Sequence, residues 1–191
     1  MEGMITLISY STPMVTENTA VPGIAYWLPP MMPTPFSGEK SRRKAVIQTF
    51  RSSKITAGKT KSVQLKSLFP ASFLAAFLTA LEARNWKFKE LKADRSLQQR
   101  LFKVTDEIFT GLENQHSTKR PLPFRFAASP VIIRILLTLA PKVMPMDIET
   151  YFEAHFTKVK SQTKLYMQNY LDAARKAGGP HAELEYFNKL T

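Results

Sequence analysis

The sequence predicts a mainly α-helical domain preceded by a short β-rich segment. Three observations carry this. Residues 1–40 hold β-branched and proline-rich stretches with no helical period. From Ser41 onward apolar residues recur at helical spacing. Prolines, glycines and a capping aspartate then mark where those helical patterns start and stop.

Taken in order, "MITLISY" is β-branched and weakly alternating, which suits a strand, and a polar turn follows it. "VPGIAYWLPPMMPTPFSGEK" joins a short apolar run to five prolines, so it reads as an edge strand leading into an extended loop. Two such strands make no stable sheet alone. "SRRKAVIQTFRSS" is a short amphipathic helix, and "KITAGKTKSVQLKS" reads as a loop around Gly58. "ASFLAAFLTALEARNW" is apolar almost all round and belongs at the centre of a core. "RSLQQRLFKVTDEIFTGLEN" places Leu97, Leu101, Val104, Ile108 and Leu112 on one face. "PVIIRILLTLAPK" reads as a buried helix opened by Pro130 and stopped near Pro141. Asp147 is the expected N-cap of a long helix running to about Lys176 and ending at Gly178–Gly179. "AELEYFNKL" supplies a last helix.

Composition narrows the classes of function. With 44% apolar and 11% aromatic residues the chain has material for a real core, and without cysteine it has no disulfide or thiol chemistry. A cytoplasmic setting is the expectation. The longest apolar run, Leu68–Leu81, is shorter than the roughly 18–20 residues a bilayer requires, so no membrane partner is expected. The formal charge of +12 favours anionic partners. Its lysines and arginines are dispersed, with small clusters at Lys40–Lys44 and Lys54–Lys66, which suits solvated helix faces better than a nucleic-acid footprint. No paired histidine spacing suggests a metal, and no G-x-G-x-x-G or phosphate loop is present.

The unusual stretch is "YFEAHFTKVKSQTKLYMQNY", residues 151–170. On one continuous helix Tyr151, His155, Lys158, Gln162, Tyr166 and Asn169 fall within a strip about 90° wide. Phe152, Phe156, Val159, Thr163 and Tyr170 form an apolar wall beside it, while Glu153, Lys160, Lys164 and Gln168 face solvent. Polar groups bordering a core face suggest a cleft for a small polar ligand, with Lys158 binding a carboxylate or phosphate and His155 exchanging protons. In the alternative arrangement Tyr151 and His155 hydrogen-bond within the core and Lys158 reaches outward.

"GMITLISYSTP", "PGIAYWLPPMMPTPFSG", "ALEARNW", "DIETYFEAHFTKVKSQTKLYMQNYL" and the closing "LDAARKAGGPHAELEYFNKL" together resemble a divergent branch of the ketopantoate reductase family, over nearly the whole chain. That family consists of NADP-dependent oxidoreductases that reduce a 2-oxo acid to a 2-hydroxy acid. The resemblance implies that residues 1–40 are the end of a Rossmann-type domain. It implies that residues 41–191 are an all-helical substrate and dimerisation domain like the C-terminal domain of 6-phosphogluconate dehydrogenase. It further implies catalytic roles for Lys158 and His155, and substrate contacts from Gln162, Asn169 and Tyr151. The expected ligand is a small 2-oxo acid and the expected assembly a homodimer. Two features depart from the family. The nucleotide fingerprint is absent, so NADP is not expected to bind this chain alone. The family's Trp-x-Lys-x-x-x-Asn stretch has no counterpart near "LKSLFPASFLAAF". A non-catalytic helical module binding an acidic metabolite or a protein partner is the competing expectation.

Overall fold

A computed structural model describes residues 12–15, 24–27, 33–144 and 147–190 of the chain. It divides into two compact units, Met1–Ser67 and Leu68–Thr191. The expected strand "MITLISY" lies outside the described residues.

In the first unit β1 (Thr12–Val15) pairs antiparallel with β2 (Ile24–Trp27), Thr12 opposite Trp27. β1 falls where a polar turn was expected, and β2 is the short apolar run read as an edge strand. β3 (Thr34–Phe36) pairs in parallel with β4 (Ala57–Lys59), and α1 (Lys40–Ser52) makes the crossover between them. Parallel strands cannot be joined by a tight turn, so an intervening helix is the economical link. Phe50 of α1 meets Phe36 of β3 edge-on at 4.9 Å. The Arg51 guanidinium donates twice to the Ala57 carbonyl, at 3.0 and 2.9 Å, fastening the helix end to β4. Residues 54–67 are therefore not the loop their polar sequence suggested. Pairing with β3 makes Ala57–Lys59 a strand, and α2 begins at Val63.

The second unit is helical. α2 (Val63–Glu82) carries Pro70 inside it and enters this unit at Leu68. It is followed by α3 (Phe88–Ala93), α4 (Arg95–His116), a 3-10 turn at Leu122–Arg125, α5 (Pro130–Val143), α6 (Ile148–Lys158), α7 (Lys160–Lys176) and α8 (Ala182–Asn188). α2 is longer than the run read from sequence. It contains an 18-residue stretch of mean hydropathy 1.3, long and apolar enough to cross a membrane, yet half of that stretch is buried inside the fold. Ala76, Leu78, Ala80 and Leu81 are among its core residues.

α2 stops without glycine. Asn85 (φ 52°) and Trp86 (φ 61°) are consecutive left-handed residues, and the Trp86 amide donates to the Leu81 carbonyl at 3.0 Å. A bulky residue in that region is strained, so burial of the Trp86 ring must hold it there. α4 buries Leu97, Leu101, Val104, Ile108 and Leu112, the face its spacing predicts. α7 ends at Gly178 (φ 63°), also as expected.

Two helices differ from expectation. α5 lies against α3 and α4, so only Ile133 and Leu137 are buried on it, and most of its other apolar residues stand outside the core. It also continues through Pro141 to Val143. The long helix expected from Asp147 to about Lys176 is two helices, parted at Val159 (φ −110°, ψ 20°). The apolar spacing runs through this point undisturbed. The local mark of the break is the pair of β-branched residues Thr157 and Val159, which are poor in helix interiors.

Candidate functional site

Asp147 caps α6, accepting from the Glu149 and Thr150 amides at 3.1 Å each. The apolar wall packs as the sequence suggests. Phe152 meets Phe77 and Phe88 at 6.5 and 6.1 Å between ring centres, and Thr163 is buried. Beside this wall the Tyr151 ring stacks on the His155 ring at 5.4 Å and 16°, and His155 stands edge-on to Phe156 at 4.8 Å. Half-burial raises the Tyr151 hydroxyl above its ordinary range, so it stays protonated and can donate a hydrogen bond.

The rest of the strip does not turn inward. His155, Lys158, Gln162, Tyr166 and Asn169 are all exposed. Gln162 donates to the Tyr166 hydroxyl at 3.0 Å across one turn of α7. The break at Val159 sets Tyr151, His155 and Lys158 on one helix and Gln162 and Asn169 on another, so a single helical wheel does not describe them. Tyr151 and His155 are thus in ring contact at the edge of the core, Gln162 is tied to Tyr166, and Lys158 and Asn169 face solvent. Thr157 is also exposed. Among the described residues no group of three or more His, Asp or Glu could hold a metal ion.

The better-buried polar chemistry lies elsewhere, on residues the sequence did not single out. Gln98 is fully buried on α4. Its amide donates to the Leu91 and Lys92 carbonyls at the end of α3, both at 2.8 Å, and its oxygen accepts from Arg134 Nε at 3.0 Å. Arg120 donates to Glu113, Asp106 and Thr110 and lies over the Phe109 ring at 5.4 Å. Hydrogen bonds from the Arg120 side chain hold the Glu113 carboxyl below its ordinary value. The hollow beside this cluster, lined by Phe102, Thr105, Phe109 and Arg120 among others, has a volume of about 10 Å³. That is room for a water molecule and not for a metabolite. Both clusters fasten loops and helix ends. Most of their partners are six to thirty-six residues apart, so no short spacing announces them.

No family model matches the chain, and neither curated proteins nor solved structures provide a similar chain.

Proposed function

We propose that this chain is the substrate-side part of a ketopantoate reductase-like oxidoreductase, acting on a small 2-oxo acid. One observation carries the reading: the parallel β3–α1–β4 crossover, followed by a unit made of helices. Parallel strands linked by a helix are the building unit of dinucleotide-binding sheets. A sheet of two three-residue strands is too small to be stable alone, as expected for the end of a larger one. On α6, Lys158 offers a cation and His155, one turn away, a proton-exchanging ring held against Tyr151 and Phe156. These are the groups a 2-oxo acid requires, one for its carboxylate or carbonyl and one to hold or deliver a proton.

The residues present do not fit the dinucleotide. Its pyrophosphate needs free amides at a helix N-terminus. At α1 the Ser41 and Arg42 amides already donate to the Glu39 carboxylate, at 2.8 and 3.0 Å. Hydrogen bonds from Ser41, its hydroxyl above all, lower the Glu39 carboxyl to about 2, so that end of the helix already holds an anion. No step through NADP is therefore assigned to this chain.

The test is titration of small 2-oxo acids into the chain, following the His155 ring signals by NMR. Saturable shifts at millimolar ligand are expected, abolished in Lys158→Ala while its melting curve is unchanged. Absence of saturation, or shifts unaltered by the substitution, would refute the reading. NADPH titration of the same sample should show no saturable binding. The exposure of His155, Lys158, Gln162 and Asn169 favours a second reading, a non-catalytic helical module binding an acidic metabolite. Under it, simple dicarboxylates would bind as well as 2-oxo acids.

A further inference from the structure

Seven of the eleven large hydrophobic side chains exposed among the described residues fall within residues 122–143. On α5, Val131, Ile135, Leu139 and Val143 recur every fourth residue, forming an apolar ridge about 18 Å long on the outer side of the helix. Leu122 in the 3-10 turn and Phe126 just after it, at 67% and 60% exposure, precede the ridge. The charge pattern over this region is one-sided. Residues 114–146 contain five lysines and arginines and no carboxylate; Arg120 is paired with Asp106 and Glu113 of α4 and Arg134 is bonded to Gln98, which leaves Lys119, Arg125 and Lys142. Lys142 lies at the C-terminal end of the ridge, within its arc, and is exposed, as are Arg125 and Lys119.

We propose that this face is a peripheral docking surface for an anionic lipid bilayer. α5 would lie in the plane of the interface, with its ridge at the acyl boundary and Lys142, Arg125 and Lys119 among the headgroup phosphates. An exposed apolar ridge flanked by cations, on a helix that itself carries no carboxylate, has the features of an interfacial helix. A second copy of the chain is a poorer occupant. A two-fold interface would place the same basic face against itself, with no carboxylate from residues 114–146 to offset its lysines and arginines. The proposal does not depend on the 2-oxo acid reading, and its test uses no metabolite.

The full chain is floated with neutral phosphatidylcholine vesicles and with vesicles that also contain phosphatidylserine. Binding is expected only to the anionic vesicles and should weaken as salt is raised. The double substitution Ile135→Glu, Leu139→Glu should lower partitioning at least about tenfold. Because both side chains are outside the core, the helical circular dichroism and melting temperature should stay the same. Arg125→Gln with Lys142→Gln should reduce the preference for anionic vesicles. Failure to bind phosphatidylserine vesicles would overturn the proposal, as would equal binding to neutral ones. Binding that survives the double substitution would assign the effect to the basic residues of the first unit instead. A dimer by light scattering that the double substitution dissociates, with vesicle binding unaltered, would identify a second copy as the occupant.

Discussion

Gln98 shows how one buried amide can hold three segments together. It satisfies two carbonyls at the end of α3 and orients Arg134 of α5. Gln98→Leu preserves the apolar volume but strands these groups, and each buried polar group left unpaired costs about 1–3 kcal/mol. A loss of at least about 2 kcal/mol is expected, read as a lower urea midpoint. Glu113 supplies a pH-dependent contribution. Its folded-state value is lowered from 4.5 by hydrogen bonds from Arg120. The stability it adds is therefore complete above pH 4.5 and is lost as pH falls through the lowered value. Glu113→Gln should flatten the decline in melting temperature with acid below that point. Neither residue was legible beforehand. Gln98 looks like any polar residue on α4, and its role depends on α3 ending beside it. The candidate strip was legible only in part. Phe152, Phe156 and Thr163 lie on the core side as their spacing required, whereas His155 and Lys158 are exposed because α6 covers only one edge of the core.

Among the elements, two short helices share a device. Neither α3 nor α8 has a capping side chain of its own. Glu149 of α6 accepts from the Phe88 amide at 2.7 Å, and Glu107 of α4 accepts from the Glu183 and Leu184 amides at 3.2 and 2.9 Å. Each short helix thus begins on a carboxylate supplied by another helix, which suits the positive end of its dipole. Arg100 adds to the α4–α8 contact, pairing with Glu183 at 2.9 Å and lying over the Tyr186 ring at 4.0 Å. Glu107→Ala should cost about 1 kcal/mol, the usual value of a cap. Hydrogen exchange at the Glu183 and Leu184 amides should rise before that of α4. Most helices could be read from apolar spacing, Asp147 and Gly178. Three features could not. β4 is a strand only because β3 pairs with it, α5 is exposed because its neighbours cover one face, and the break at Val159 leaves the apolar period intact.

At the scale of the whole molecule, charge and burial divide unevenly between the units. Residues 33–67 carry nine lysines and arginines against the single carboxylate of Glu39. Among the described residues α1 contributes no buried residue, and nearly all of the buried hydrophobic side chains belong to the second unit. Two basic clusters that are separate in sequence thus belong to one small unit, the first on α1 and the second running from the turn after α1 through β4 into the start of α2. With few buried apolar side chains among its described residues, the first unit should open at lower denaturant than the helical one.

The left-handed corner that buries Trp86 has an experimental consequence. The chain has two tryptophans, Trp27 in β2 and Trp86 between α2 and α3, one in each unit. Each unit therefore carries its own fluorophore. Urea unfolding followed by emission should show two steps in the unaltered chain and only the later one in Trp27→Phe. A single step shared by both chains would mean that the units open together. Trp86, buried at a strained turn, is thus a built-in optical gauge of the helical unit, with no label to attach.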